Sequence, residues 1–354
     1  MKINILKLIF VIIFLCCGYN SNAQESDKTL RVFLLQSYGQ NDFCGGPQLV
    51  GAKQVISQLS DIGYKITVRE FYMNTKTRNV TQSSIREVSK LAYDSIKKFK
   101  PNYIIVFDDI AFTYVGIKYL LPLNEFKSKV IFSGLNKTID SYKSEFSFDA
   151  TNLSGIEEIP QIVKLDVLFN KVGFIPSRYY ILRDSTLSSF LLTKIVQTEL
   201  DKQGFRRITD VLYIDNISDL RQTIKGLNRE NTRGVIFCLL TAIIDSNSGQ
   251  IVIMPDILRE IRKLNTTHLE ISVNPLAVQP DIGFAMAVGP DLYQMGNDAG
   301  DIILTSVIES DVKPVIARPQ SLLAVNTRRM NQLGLTSYYK NASYIFNRMT
   351  TSID

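Results

Sequence analysis

Apolar and polar positions along this 354-residue chain follow two rhythms that take turns. Short runs rich in β-branched, aromatic and aliphatic residues, bounded by turn residues, read as strands buried on both faces of a sheet. Longer stretches with apolar residues three and four apart read as helices. Strands are expected over 30–35, 64–71, 103–107 and 129–132, with helices over 49–59, 84–99 and 110–120 between them. Lys97, Lys98 and Lys100 near the end of the 84–99 helix, with Pro101 beyond, mark its stop.

The alternation begins afresh after Asn152-Leu153-Ser154-Gly155, where Gly155 and Pro160 suit a hinge crossing better than a strand interior. A helix is expected over 159–169, then strand 179–182, helix 188–200, strand 210–214, helix 217–227, strand 235–240, helix 256–264 and strand 269–273. A strand over 283–288 follows, and Asp291 N-caps a helix over 292–308. Repeated β-α alternation predicts an α/β protein of two Rossmann-like lobes, each a doubly wound parallel sheet. The chain is longer than one domain usually is and long enough for two cores.

The N-terminus changes the picture. Lys2 and Lys7 precede an apolar run, 8–17, and Ser21-Asn22-Ala23 offers a small-residue cleavage site, so residues 1–23 read as a secretory signal peptide. The run is short of the roughly 20 apolar residues a bilayer span needs. Leu15-Cys16-Cys17-Gly18 is a loose fit to a lipid-attachment box, which leaves a lipid anchor on Cys16 or Cys17 open beside soluble release into the periplasm. Loss of Lys2 and Lys7 lowers the charge excess from +6 to +4, and the basic pairs Lys97-Lys98, Arg206-Arg207 and Arg328-Arg329 are scattered, so no nucleic-acid partner is expected.

In open α/β sheets small ligands bind outside the carboxyl ends of the strands. The polar and aromatic residues expected there are Ser37, Tyr38, Asp108, Asp109, Ser133 and Asn136 in the first lobe. The second lobe offers Asp184, Ser185, Thr241, Asp245 and Asn274. One of Asp108 and Asp109 is expected to accept from a ligand ammonium group while the other caps the helix starting at Ala111, and the sequence leaves open which does which. Tyr38 and Phe112 are placed to sandwich an aromatic ligand.

Other chemistries fit poorly. The single histidine, His268, stands in a polar connection and reads as a solvated surface residue, which excludes a two-histidine zinc site and gives a Ser-His-Asp triad no sequence support. Gly45-Gly46 lacks the lysine of a phosphate-binding loop, and the Asp108-Asp109 pair lacks the placement of a Mg²⁺-binding receiver site, so no metal or cofactor is expected. Cys44 and Cys238 are expected in different lobes, unbridged. An exported hydrolase using Asp108 or Asp109 stands as the alternative from another class.

The buried strand followed by Asp108-Asp109, Ala111-Phe112 and Tyr114, and then Val130-Ile131-Phe132-Ser133-Gly134-Leu135-Asn136, resembles substrate-binding proteins of ABC transporters in the group that includes tryptophan and tyrosine binders. Met295-Gly296-Asn297-Asp298-Ala299-Gly300, Lys313-Pro314, Val325-Asn326 and Leu333-Gly334-Leu335 are similar to that group's closing segments. The resemblance implies type I periplasmic binding protein architecture with a multi-crossing hinge. It places residues 24–152 and 283–316 in the N-terminal lobe and 153–282 and 317–354 in the C-terminal lobe. It further implies a monomer without covalent chemistry that closes on a small molecule, an aromatic amino acid being favoured, for delivery to an ABC permease and ATPase. A membrane sensor kinase as reader is the alternative.

Overall fold

The computed structural model describes residues 28–123, 128–150, 153–160, 162, 169, 174–230, 232–309, 312–319 and 321–335. The expected leader, with Cys16 and Cys17, and most of the expected helix 159–169 lie outside them.

The first lobe opens with β1 (Thr29–Gln36), α1 (Gly45–Ser57), β2 (Lys65–Tyr72), α2 (Gln82–Phe99) and β3 (Tyr103–Phe107). Next comes α3, which begins as an α-turn, Asp108–Ala111, continues in π-helical form over Phe112–Leu120 and ends at Leu121–Leu123. Then follow β4 (Lys129–Leu135), α4 (Ile139–Phe146) and β5 (Ser154–Glu157). The second lobe holds β6 (Tyr179–Arg183), α5 (Leu187–Lys202), β7 (Thr209–Tyr213), α6 (Ile217–Leu227) and β8 (Val235–Cys238). A small hairpin, β9 (Ala242–Ile244) with β10 (Ile251–Ile253), leads to α7 (Met254–Leu264), β11 (Leu269–Ser272) and β12 (Met286–Pro290). The closing elements are α8 (Leu292–Ile308), β13 (Ile316–Ala317), β14 (Ser321–Val325) and α9 (Thr327–Gln332).

Two six-stranded sheets result, in the orders β13-β5-β4-β3-β1-β2 and β14-β12-β11-β8-β6-β7. Every neighbouring pair is parallel except β12 with β14. Both sheets are covered on both faces, and the period-2 pleat divides each strand between two cores. Phe33, Leu35, Ile104 and Val106 pack beneath α2 and α3, whereas Val32, Leu34, Ile105 and Phe107 pack beneath α1 and α8. Tyr179 and Ile181 are separated from Tyr180 and Leu182 in the same way in the second lobe.

Helix starts follow local chemistry. Thr81, Thr138, Thr186 and Asn216 each accept a backbone N–H from the first turn they precede. Asp291 accepts the N–H groups of Tyr293 and Gln294, as its position before α8 predicts. Helix α8 leaves the second sheet and lies along α1 of the first lobe. The approach is close: a Cβ on Gly296 would stand 1.9 Å from the carbonyl oxygen of Gln48, and one on Gly51 2.2 Å from that of Tyr293.

Two strand assignments differ from expectation. Residues 154–157, expected to open the second lobe, form β5 of the first sheet. Position 155 takes a glycine inside a strand because a Cβ there would meet the Phe132 carbonyl oxygen at 2.3 Å. The strand expected over 283–288 in the first lobe is β12 of the second sheet, so the chain crosses back only at Asp291. Ile316 pairs with Gly155 in the first sheet, and the chain crosses once more between β13 and β14.

His268 is fully buried rather than solvated. Its Nδ1 accepts the Gly234 N–H at 3.1 Å, which puts the proton on Nε2, where it donates to the Leu227 carbonyl at 3.0 Å. Within the polar connection Asn265 closes the turn by accepting the His268 N–H, while Thr266 stays exposed.

Candidate functional site

In each sheet the second strand lies on one side of the first and the third strand on the other, so the strand order reverses beside β1 and beside β6. Such a switch point leaves a crevice at the carboxyl ends of the strands. In the first lobe this crevice is bounded by Gln36 and Ser37 after β1 and by Asp108 after β3. In the second it is bounded by Asp184 after β6 and by the segment that leads from β8 to Thr241.

The two crevices meet. Tyr38, after β1, shares a buried hydrogen bond of 3.0 Å with Ser188 on α5. Asn274, after β11, donates to Cys44 Sγ at 3.6 Å, and Phe43 and Cys44 pack against the second-lobe core. Beside this contact runs a groove of about 490 Å³, walled by Phe43, Pro47 and Val50 from one lobe and by Pro255, Leu276 and Ile282 from the other, with Asp42 on its lining.

The two aspartates have different tasks. Asp109 is fully buried and accepts the Asn136 N–H at 3.1 Å, the Asn136 side-chain amide at 2.8 Å and the Tyr142 hydroxyl. It holds the loop after β4 in place. Neither carboxylate takes the Ala111 N–H expected to be capped by one of them: Ser37 Oγ accepts it at 2.8 Å while donating to the Phe107 carbonyl at 2.7 Å. Ser37 thus pins β1 to the start of α3.

Asp108 stands apart. Its backbone is left-handed, φ +66, a conformation that few residues other than glycine adopt, though Asp and Asn tolerate it best. The side chain is 2% exposed, and Oδ2 has no hydrogen-bond partner among the described residues. Asn136 Oδ1, Gln36 Oε1 and Gln48 Nε2 are buried nearby in the same condition. Ser133 donates to Gln48 Oε1 at 2.7 Å, and Gln36 donates to the Gly45 carbonyl at 2.9 Å, so each carboxamide keeps one end bound. Gly134, at φ +86, lets these groups converge: a Cβ there would lie 3.0 Å from Gln48 Nε2 and 3.3 Å from Asp108 Oδ1.

Three charged residues that sequence reasoning missed complete the site. The loop after β2 is tied to β1 through the Met73 N–H on the Gln36 carbonyl and both donors of Thr75 on the Ser37 carbonyl. That loop delivers Lys76, whose ammonium donates to both oxygens of Asp42 at 3.0 Å and lies 3.5 Å from the centre of the Tyr38 ring. Asp42 also accepts the N–H groups of Cys44 and Gly45 ahead of α1. Glu158 follows β5 and is half-buried. Lys76 and Glu158 lie at strand ends, where the same rule would have found them. Glu158 escaped because β5 was read as a hinge.

Among the described residues carboxylates outnumber cations here, and their acidities reflect it. Burial pushes Asp108 well above its ordinary range, Glu158, Asp42 and Asp109 push the same way, and Lys76 opposes. Burial and the charge of Asp109 push Glu158 up to about 8. Burial disfavours the charged form of Lys76, but its paired carboxylate Asp42 holds it above its ordinary range. Burial pushes the Cys44 thiol up to about 12, which keeps it protonated and unreactive.

The remaining sequence-predicted residues are placed as follows. Phe112 is a core residue packed on Phe132, Tyr142 and Phe148, and it does not pair with Tyr38 around a cleft. Asp184 accepts from the N–H and hydroxyl of Thr186 and from the N–H groups of Thr241 and Ala242, which bind the end of β6 to the end of β8. Thr241 Oγ1 bonds Thr186 Oγ1 at 2.7 Å. Asp245 lies in the turn of the β9–β10 hairpin, where the Asn247 N–H and neighbouring donors hold it below the ordinary carboxylate range. Asn274 also accepts the Leu276 N–H, and Ser185 is exposed. Among the described residues no group of three or more His, Cys, Asp or Glu side chains is placed to hold a metal ion, and no helix is long and apolar enough to cross a membrane.

Two lobes with this strand order, three chain crossings and a cleft at opposed strand ends define the fold of type I periplasmic binding proteins. Among solved structures the chain is similar to a conserved domain protein from Vibrio cholerae, with TM-score 0.60, 12% identity, and 92% of this chain and 100% of that one covered. It is also similar to an ABC domain in complex with L-Trp from Streptococcus pneumonia, with TM-score 0.59, 13% identity and coverage of 86% and 95%. A third is an ABC transporter solute binding protein from Bacillus halodurans with bound myo-inositol, with TM-score 0.53, 12% identity and coverage of 88% and 99%. A transcriptional regulator in complex with cellobiose shares the fold as well. No protein-family model and no curated protein matches the chain by sequence.

Proposed function

We propose that the protein is an extracytoplasmic solute-binding protein that captures a small molecule between its lobes and delivers it to an ABC permease and ATPase. One observation carries the reading: Asp108 is buried at the switch point with an oxygen that has no partner among the described residues, and three more buried polar atoms at the same end of the lobe are in the same condition. A buried polar atom without a partner costs about 1–3 kcal/mol, and a solute that supplies the partners recovers that cost only in the closed state. Closure is then favoured by differential contact.

The solute proposed is an amino acid or a related small molecule with hydrogen-bond donors, the protein works as a monomer in the periplasm, and it performs no covalent chemistry. The solved structures of similar fold that hold L-Trp and myo-inositol support capture without turnover. A thermal-shift screen against amino acids, nucleosides, sugars and polyamines tests the reading. A solute at one hundred times its Kd stabilises by about 2.7 kcal/mol. A screen in which no solute raises Tm overturns it.

A further inference from the structure

Contacts to a solute can favour closure only once a solute is present. The segment after β1 carries contacts between the lobes that need none. Phe43 and Cys44 belong to the first lobe, yet both pack against the second-lobe core that contains Ala277, Val278 and Ile282. Cys44 packs against a first-lobe core as well and so bridges the two. Asn274, after β11, adds its hydrogen bond to Cys44 Sγ at 3.6 Å. Every group in this contact is supplied by the chain itself.

Both sides of the contact are shaped before they meet. Asp42 accepts the N–H groups of Cys44 and Gly45 through its side chain and that of Gly46 through its carbonyl, and Lys76 holds its carboxylate at 3.0 Å. Phe43 therefore sits on a tied loop. On the other side, Asn274 accepts the Leu276 N–H through its side chain and the Ala277 N–H through its carbonyl, both at 3.0 Å. The Ala277 carbonyl in turn accepts the Phe284 N–H at 2.9 Å. Each of these bonds lies within one lobe, so none is lost when the lobes part. Preformed surfaces meet with little ordering cost, which leaves apolar burial as a net gain. Phe43 is half-buried and walls the groove of about 490 Å³ with Leu276 and Ile282, so the joint is modest and can release.

Taking the cleft as the solute trap described above, we propose that Phe43 and Cys44 form a clasp that closes the lobes in a fraction of the molecules before a solute arrives. The clasp sets the closed-to-open ratio from which solute contacts start, so it contributes to affinity without touching the solute. Phe43 is then a positioning residue of capture.

The test uses the ligand-free full chain, which contains no tryptophan. Phe43→Trp keeps an aromatic ring in the clasp and makes it the one indole in the protein. Time-resolved fluorescence with acrylamide is expected to separate two populations, one shielded and one freely quenched. Small-angle scattering supplies the second measurement. Phe43→Ala is expected to lower the closed-to-open ratio about tenfold, read as a larger radius of gyration than wild type. Val50→Ala, on the same groove wall but 58% exposed, should leave the curve unchanged. An indole quenched as a single exposed population overturns the inference, as do wild-type and Phe43→Ala curves that superimpose or a Val50→Ala shift equal to that of Phe43→Ala. None of these results touches capture, which the solute screen decides separately. A screen in which no solute raises Tm instead overturns the reading on which the clasp rests.

Discussion

Tyr38 and Ser188 belong to different lobes and meet in a buried hydrogen bond of 3.0 Å. Lys76, stacked on the Tyr38 ring and paired to Asp42, holds the tyrosine from behind. The bond therefore exists only while the lobes are together. Tyr38→Phe keeps the ring and its cation but removes the hydroxyl. A hydrogen bond contributes about 0.5–1.5 kcal/mol net, so the variant is expected to bind its solute about 2- to 10-fold more weakly with near-normal stability. Calorimetry and small-angle scattering of the two forms check this, and unchanged affinity would show that the contact does not help closure.

Stability is expected to fall as pH rises through the window set by Glu158. Its carboxyl lies at about 8 in the folded chain against an ordinary 4.5. The folded state therefore binds the proton more tightly than the unfolded state does. Its stabilising contribution is complete below about pH 4.5 and is lost by about pH 8. Asp108, raised as well, acts in the same direction. Urea midpoints measured across this window should decline in the ligand-free protein, and Glu158→Gln should flatten the decline.

Gly296→Ala places a methyl group where the Gln48 carbonyl oxygen stands, 1.9 Å away. Neither partner is the end of a flexible side chain, so α1 and α8 must separate. Overpacking of this kind costs about 1–3 kcal/mol, sometimes more. Thermal unfolding should register the loss, whereas Gly226→Ala on α6, which meets nothing within 4 Å, should leave Tm unchanged or slightly raised. Equal effects at the two sites would contradict the close approach.

Arg329 on α9 donates to both oxygens of Glu270 on β11 and to the carbonyls of Arg262 and Asn265. Both side chains are buried. Removing one partner leaves a charge stranded in the core, which costs about 3–5 kcal/mol. Arg329→Met should therefore lower the urea midpoint sharply, and Arg329→Met with Glu270→Gln should recover part of the loss. A double variant no better than the single one would refute the pairing as the cause.

The fold was legible because parallel strands covered on both faces are almost wholly apolar, and Tyr103–Phe107 and Val235–Cys238 carry no polar residue to blur the pattern. Short strands were harder. Ser154–Glu157 contains a glycine whose role, close approach to Phe132, depends on a neighbour far away in sequence. His268 looked solvated because its flanking residues are polar, yet the Gly234 N–H just before β8 and the Leu227 carbonyl at the end of α6 claim its ring. At the cleft, the position of Asp108 was readable from the strand end. Its separation from Asp109 was not, since that depends on a left-handed backbone and on Tyr142 reaching over from α4.

The order in which strands enter the sheets has a consequence for how the molecule comes together. The first sheet waits for residues 316 and 317, and the second for 321–325, long after their other strands have been made. A chain emerging from its amino end can finish neither half early. Long-range pairing of this sort slows folding, so the two halves are expected to mature together, late, and in the same cooperative event.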